Sequence, residues 1–410
     1  MTRIEADWLR DPALRTILSS LSTNGEEAKV VGGAIRNTLM GRPITDIDVA
    51  TTTLPAETIA RVDAAGLKAV PTGVEHGTVT VVADGRPFEV TTLRRDVETD
   101  GRHAKVLFGR DWAADASRRD FTINALYCDA DGEILDLVGG LPDIESGTLR
   151  FIGEASQRIE EDYLRILRFF RFFAWYGRGR PDGEGLRASS RLKEGLDRLS
   201  AERVWNELRK LLAAPDPARA LLWMRQAGVL SRVLPESEKW GIDAIHGLIE
   251  TERLYGWAPD PIRRLEAIVP PDAARLRDMA GRLRLSNADR DRLVAWAMAE
   301  APATESDAAF RARLYLGDAD ALADRLALAL NSERTAATQN PDKLPQVALL
   351  AARHEAAVGF EPPAFPLSGH DLAAAGVAQG PEIGRTLDRL KRAFAESGFV
   401  LGREALLKLV

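Results

Sequence analysis

The chain has 410 residues, 45% hydrophobic and 28% charged, with a net charge of -6; that is ordinary globular composition, long enough for about two to four domains. Its one cysteine, Cys128, excludes an intrachain disulfide and a cysteine-built zinc cage, and fits a reducing cytoplasm. No apolar run approaches the ~20 residues of a membrane span, the opening MTRIEADWLRDPALR lacks the apolar core of a secretory signal, and the acidic total leaves any nucleic-acid contact to local basic patches.

In chain order, residues 5–23 carry Trp8, Leu9, Leu14, Ile17, Leu18 and Leu21 at helical spacing, which predicts a packing helix. A strand is expected at 29–31. The chain then turns at Gly32-Gly33 and runs on with a helical pattern to Gly41, with Arg36 on the first helical turn. Glycines allow close approach to a phosphate, and a helix start offers free N–H groups and a positive dipole end. Asp46 and Asp48 then enter a second apolar run. On an extended strand they project from the same side and offer hard oxygen ligands for Mg²⁺. Taken singly, Gly-Gly before a helix and Asp-x-Asp at a turn are commonplace.

A short helix with Pro55 in its first turn comes next. Residues 78–82 and 87–93 read as two strands joined by Ala83-Asp84-Gly85-Arg86, a hairpin signal. Glu89 lies opposite Phe88 and Val90. It either joins Asp46 and Asp48 across the sheet or faces solvent, and alternation leaves both open. Residues 94–112, charged and glycine-containing, read as a mobile loop. Arg118-Arg119-Asp120 then precede an apolar stretch, Phe121 to Leu126. Arg119 is a candidate for triphosphate oxygens, or else half of a surface Arg–Asp pair.

Residues 157–175 read as one long helix with an apolar stripe of Leu164, Leu167, Phe170 and Phe173. Asp162 and Arg165, at i, i+3, are expected side by side on it, with Arg168 and Arg171 continuing at the same step. On its own such a pair is an ordinary ion pair on a solvated face. From Arg158 to Lys210 there are 13 Lys and Arg against 9 Asp and Glu, a modest basic patch. Ser200 is a plausible N-cap for a helix over 200–212. Beyond it the chain is Ala-, Leu- and Arg-rich and reads as an all-helical body, with Trp223, Trp240, Trp257 and Trp296 as packing residues rather than base platforms. Residues 354–366 read as a linker, and the His370-Asp371 pair as a structural cap rather than a metal site.

Together these pieces resemble the class II, bacterial-type tRNA nucleotidyltransferase (CCA-adding)/poly(A) polymerase family. The motifs are Gly32-Gly33-Ala34-Ile35-Arg36-Asn37 with Asp46-Ile47-Asp48; Arg118 to Ala125 (RRDFTINA); Asp136-Leu137-Val138-Gly139-Gly140; Glu161-Asp162-Tyr163-Leu164-Arg165-Ile166-Leu167-Arg168; and Glu202-Arg203 with Glu207. The match covers residues 29–210 closely and the tail from Ser368 more loosely. Asn37 departs from the family's Asp, which puts an ionic role there in doubt. The resemblance implies an α+β, polymerase-β-like head with a mixed sheet (1–140), a helical neck that selects the base (141–213), and a helical body and tail that bind tRNA (214–410).

It also implies a cytoplasmic enzyme with no membrane partner, adding C, C and A to the tRNA 3′ end from CTP and ATP and releasing pyrophosphate. Asp46, Asp48 and Glu89 are then the catalytic residues and the ligands of two Mg²⁺ ions. Gly33, Arg36 and Arg119 hold the triphosphate. Asp162 accepts from the amino group shared by cytosine and adenine, Arg165 donates to the ring acceptor beside it, and Arg168 and Arg171 add nucleotide contacts. The alternatives are a poly(A) polymerase, an enzyme adding only CC or A, and a non-catalytic RNA-binding descendant.

Overall fold

The computed structural model describes residues 2–100, 103–238, 241, 243–302 and 304–410, and of residues 96–100 and 103–106 the backbone alone. Trp240 therefore lies outside the described residues. The chain divides into two compact units, residues 1–233 and 234–410.

In the first unit the expected opening helix is broken. A 3₁₀ turn over Asp7–Arg10 ends at Asp11, whose side chain accepts from the N–H groups of Ala13 and Leu14 and so starts α1 (Pro12–Leu21). Proline at the first helical position reinforces the stop and restart. Then come β1 (Ala28–Val31), α2 (Gly33–Leu39), β2 (Asp48–Thr51), α3 (Pro55–Ala64), β3 (Lys68–Gly73), β4 (Thr78–Ala83) and β5 (Arg86–Thr92). The β4–β5 turn uses Asp84 and Gly85 at φ 51° and 75°, as a two-residue hairpin requires.

The segment read as a mobile loop is instead a hairpin, β6 (Arg94–Asp100) and β7 (His103–Phe108), followed by α4 (Trp112–Ser117). Its register pairs Arg94 with Phe108 and Asp100 with His103. β8 (Leu126–Cys128) and β9 (Ile134–Asp136) close a seven-stranded sheet of order β3-β4-β5-β2-β1-β8-β9. Only β2 and β5 pair in parallel; every other ladder of the sheet is antiparallel. The sheet is therefore mixed.

After β9 the named elements of the first unit are helices: α5 (Gly140–Ser146), α6 (Ala155–Glu161), α7 (Leu164–Tyr176), α8 (Gly183–Arg191), α9 (Ala201–Leu212), α10 (Ala218–Gln226) and α11 (Val229–Val233). Ser200 occupies the N-cap position of α9. The expected apolar stripe is buried, and Ile166, Phe169 and Phe172 join it. Phe121 and Phe151 pack at 4.9 Å, and Phe151 stacks on Phe169 at 5.5 Å. These rings pack α7 against the segments around Phe121 and Phe151. Each buried aromatic side chain contributes roughly 1.5–3 kcal/mol.

The second unit is all helical: α12 (Ala244–Tyr255), α13 (Pro261–Ile268), α14 (Ala273–Leu283), α15 (Asn287–Met298), α16 (Asp307–Leu316), α17 (Ala319–Ala337), α18 (Leu344–Val358), α19 (Gly369–Ala374), α20 (Pro381–Glu396) and α21 (Arg403–Leu407). One apolar cluster joins α16, α17 and α18 through Phe310, Leu326 and Leu350; another joins the tail through Leu372, Leu390 and Phe394. Helix α18 runs through Val358 and buries His354, so the expected linker begins only after it. Asp371 does form a capping box with Ser368. Trp296 is buried, and Trp223 and Trp257 are half-buried.

Candidate nucleotide and metal site

Antiparallel β1 and β2 place Val31 opposite Asp48, and parallel β2 and β5 place Asp48 beside Glu89. Glu89 thus stands next to Asp48 across the ladder, with its side chain exposed. Asp46 lies just before β2 in irregular chain rather than on the strand, and accepts from the Thr45 hydroxyl at 2.5 Å. Burial, then the Asp46 and Glu89 carboxylates, push Asp48 up to about 6, while Arg119 opposes this. The two carboxylates are therefore close enough to be felt at Asp48. Among the described residues no three His, Cys, Asp or Glu side chains converge as a finished metal cage.

Gly32 caps α2 at φ 74°, a left-handed conformation that favours glycine, and an added Cβ would meet the Asn124 carbonyl at 3.3 Å. The turn aims α2 into a cleft of about 440 Å³, lined by Gly33, Arg36, Asp48, Arg119, Asp162, Arg165 and Arg168 among others. Asp46, Glu89 and Arg171 are not part of that lining. Arg36 is buried and fully engaged. It donates to the Tyr176 hydroxyl at 2.7 Å, to Asn37 Oδ1 at 3.0 Å and to Asn124 Oδ1, with its guanidinium 3.9 Å over the Tyr176 ring. Asn37 keeps an acceptor for Arg36 and donates to the Pro43 carbonyl at 2.8 Å.

Arg119 is held by Asp115 at 3.0 Å and by the Tyr127 hydroxyl at 3.3 Å. Arg119 thus has an Asp partner, but a buried one rather than the surface pair that the sequence left open, and it still lines the cleft. The buried Asp115 answers both Arg118 and Arg119, whose charges hold its carboxyl below the usual range despite burial.

The neck departs from expectation. Residues 157–175 are two helices, because Asp162 takes extended backbone (φ -155°, ψ 108°) between α6 and α7. Its Oδ1 accepts from the Leu164 N–H at 3.1 Å, restarting the helix. Asp162 is therefore not a helical i, i+3 neighbour of Arg165. It pairs with Arg203 of α9 at 2.6 Å, while Arg165 pairs with Glu161 and donates to the Arg158 carbonyl at 2.7 Å. Arg168 binds Asp120, with its Nε at 2.9 Å from Oδ2, and Arg171 binds Glu207 while lying 4.3 Å over the Phe172 ring.

Asp120, Asn124, Phe172 and Arg203 line the same cleft and were not singled out as site residues from the sequence. Asp120 and Asn124 sit inside the RRDFTINA motif, and their i, i+4 spacing was a usable sign, since Asn124 Nδ2 donates to Asp120 at 3.0 Å. Arg203's partner lies 41 residues away, beyond any local signal.

The family profile described as Poly A polymerase head domain matches residues 28–150, and that described as Probable RNA and SrmB- binding site of polymerase A matches residues 182–240. A Mus musculus protein named CCA tRNA nucleotidyltransferase 1, mitochondrial, is 33% identical over 416 residues, spanning 97% of this chain and 89% of that protein. A CCA-adding enzyme of Streptococcus pyogenes is 43% identical over 203 residues, 48% of this chain and 49% of that protein. The crystal structure of Bacillus stearothermophilus CCA-adding enzyme in complex with CTP superposes with a TM-score of 0.73 at 27% identity, covering 97% of each chain. The head sheet, the helical remainder, the ordered motifs and a relative above 30% identity over nearly its whole length agree: the chain belongs to the tRNA nucleotidyltransferase/poly(A) polymerase family.

Proposed function

We propose that this chain adds C, C and A to the 3′ end of tRNA, using CTP and ATP without a nucleic-acid template and releasing pyrophosphate. The observation that carries the reading is the single cleft into which the Gly32-Gly33 turn, Asp48, Arg119 and the Asp162–Arg203 pair all open. That shared lining supports reading the turn as the phosphate side of the cleft and Asp162 as the acceptor for the base. The matching relatives are named for this activity, and one was solved with CTP.

In this reading Gly33 and the α2 N-terminus meet the triphosphate through backbone N–H groups, and Arg36 and Arg119 neutralise it. Arg36's contacts with Tyr176 and Asn124 hold it ready. Asp162 accepts from the amino group of cytosine or adenine, and Arg165 donates to the ring nitrogen beside it. Uracil and guanine present a carbonyl oxygen to Asp162, leaving buried polar groups unmatched at about 1–3 kcal/mol each. Arg168 and Arg171 complete the neck side, tied in place by Asp120 and Glu207.

Asp46, Asp48 and Glu89 fit a hard divalent cation, Mg²⁺ in our reading. Their donors are all oxygen, and a dication would offset both the burial and the neighbouring charge that raise Asp48. Bound there, Mg²⁺ supplies Lewis-acid charge to the attacking 3′-hydroxyl and to the phosphates. We assign residues 1–140 to the catalytic head, 141–213 to base selection and 214–410 to tRNA. No helix among the described residues is long and apolar enough to cross a membrane. The compartment we favour is the cytoplasm, where a lone buried thiol such as Cys128 stays reduced.

The test is incorporation. Protein, Mg²⁺ and tRNA lacking its last three nucleotides would be given labelled CTP, ATP, UTP or GTP, singly and mixed. Growth by three nucleotides that needs both CTP and ATP is the expected result. A long ladder from ATP alone, or no growth, overturns it.

A further inference from the structure

Helix α12 ends at Gly256 in the left-handed region (φ 68°), and the Trp257 N–H returns to the Glu252 carbonyl at 2.8 Å. This turn sets Tyr255 and Trp257 side by side, ring centroids 5.5 Å apart and 25° from parallel. His354 of α18 continues the run 4.1 Å from Trp257, and the Arg263 guanidinium lies 5.3 Å over the Trp257 ring. The rings line a cleft of about 780 Å³ within the second unit, bordered by the exposed Tyr255 and Val358.

Two polar groups there lack partners. His354 is 6% exposed, and its contact is the ring stack; among the described residues neither imidazole nitrogen is hydrogen-bonded. Arg263 Nη1 is fully buried without a partner, whereas the His354 nitrogens keep some solvent contact at the cleft. Burial, then the Arg263 charge, push His354 down to about 4, so at neutral pH the ring is uncharged, with one N–H donor and one lone-pair acceptor. Unmatched buried polar groups are costly, and a built polar site commonly leaves them for a ligand. Charge nearby is already balanced: Asp324 and Asp260 hold Arg263 at 3.2 Å and 3.9 Å. Nothing there calls for a phosphate.

We propose that this cleft binds a neutral, planar nitrogen heterocycle of the nucleobase class, stacked on the Tyr255–Trp257–His354 run and read by a hydrogen bond to His354. Trp257 is then a stacking platform as well as a packing residue. The base comes either from an unpaired nucleotide of bound RNA, which rests on the function proposed above, or from a free nucleoside, which does not.

The experiment uses the full chain in chelator, so that no nucleotide is incorporated, with its head cleft saturated by CTP. Adenosine and cytidine are titrated by calorimetry, and tRNA lacking CCA is titrated by fluorescence anisotropy, for wild type, Tyr255→Ala and Val358→Asp. Loss of one stacking partner should weaken binding roughly 5- to 150-fold. A loss confined to tRNA identifies an RNA base; a loss of saturable adenosine or cytidine binding identifies a free nucleoside. CTP affinity and the unfolding midpoint should hold, and Val358→Asp, at a 66% exposed position, keeps the test valid where Tyr255→Ala unfolds. Wild-type affinity for nucleosides and tRNA alike in the folded variants overturns the site. A wild-type chain that incorporates no nucleotide removes the proposed function instead, and the nucleoside titration still decides this cleft.

Discussion

Asp162 grips Arg203 at 2.6 Å across a break between two helices, while Arg165, three residues on, turns back to Glu161. The carboxylate that we propose reads the base is thus held by α9 rather than by a charged neighbour on its own segment. A carboxylate has about four acceptor positions. Leu164 N–H and Arg203 take two, leaving room for a base amino group. Asp162→Ala should lower kcat/KM for CTP and ATP alike by roughly 5- to 150-fold, the worth of one buried hydrogen bond at about 1–3 kcal/mol. Asp162→Asn, which offers an N–H₂ group, should move preference toward UTP and GTP. Arg203→Gln should lose less but blur the discrimination. Steady-state rates with all four nucleotides decide it, and an unchanged Asp162→Ala takes this residue out of base selection.

The bend that displays Asp162 rests on a missing side chain. An added Cβ on Gly195 would sit 1.9 Å from Tyr163 Cδ1, so the ring fills the space a side chain would occupy. Gly195→Ala must push Tyr163 aside and drag its neighbour Asp162 with it. The expected result is a stability loss of about 1–3 kcal/mol from overpacking, together with weakened CTP-over-UTP selection. Adding Tyr163→Leu should recover stability. A Gly195→Ala protein with wild-type melting and selectivity would mean the ring relocates freely.

Asp48 carries a cost that function retains. Its folded-state pKa is raised to about 6, by burial first and then by Asp46 and Glu89. A raised carboxyl favours the folded state while protonated, and that contribution is lost as pH rises through about 6. Above it, ionised Asp48 opposes folding when no cation is bound. Asp48→Asn should therefore raise the unfolding midpoint at pH 7.5 in chelator, the gain fading below about pH 4, where the wild-type group is neutral in both states. Mg²⁺ should stabilise wild type more than the variant, and incorporation should vanish. Equal midpoints across pH would show that Asp48 is not strained by its neighbours.

The turn, hairpin and strand that frame the site were legible because each depends on local chemistry: Gly32 at positive φ, Asp84-Gly85 between alternating runs, apolar β2. Whether Glu89 joined Asp48 was not legible, since alternation gives a residue's face and not the strand beside it; the parallel β2–β5 register is a tertiary fact. Strand β3 was hidden by Pro71, which it tolerates as an edge strand with a register shift between Val70 and Gly73. The β6–β7 ribbon was hidden by its charges. The break at Asp162 escaped because apolar spacing continues in phase through it, although an Asp just before an apolar run is itself a helix-start sign.

The second unit holds a buried ion pair, Glu252 of α12 with Arg264 of α13, at 2.6 Å and with side chains 3% and 1% exposed. Two Arg264 nitrogens reach the carboxylate, Nε at 3.1 Å and Nη2 at 2.6 Å from Oε2. Both charges have left water, and the Glu252 carboxylate supplies much of the compensation that Arg264 needs there. Glu252→Ala strips the guanidinium of that carboxylate and should destabilise the unit by about 3–5 kcal/mol, a fall in unfolding midpoint of roughly 6–20 °C for a unit of this size. Glu252→Ala with Arg264→Met, which removes both charges, should recover most of it. None of the residues lining the head cleft lies beyond Arg203, so CTP affinity below the midpoint should be unaffected in both variants. A Glu252→Ala protein within about 0.5 kcal/mol of wild type would show that the guanidinium is satisfied without this carboxylate. A double variant no better than the single would show that packing, rather than charge, is what Arg264 contributes.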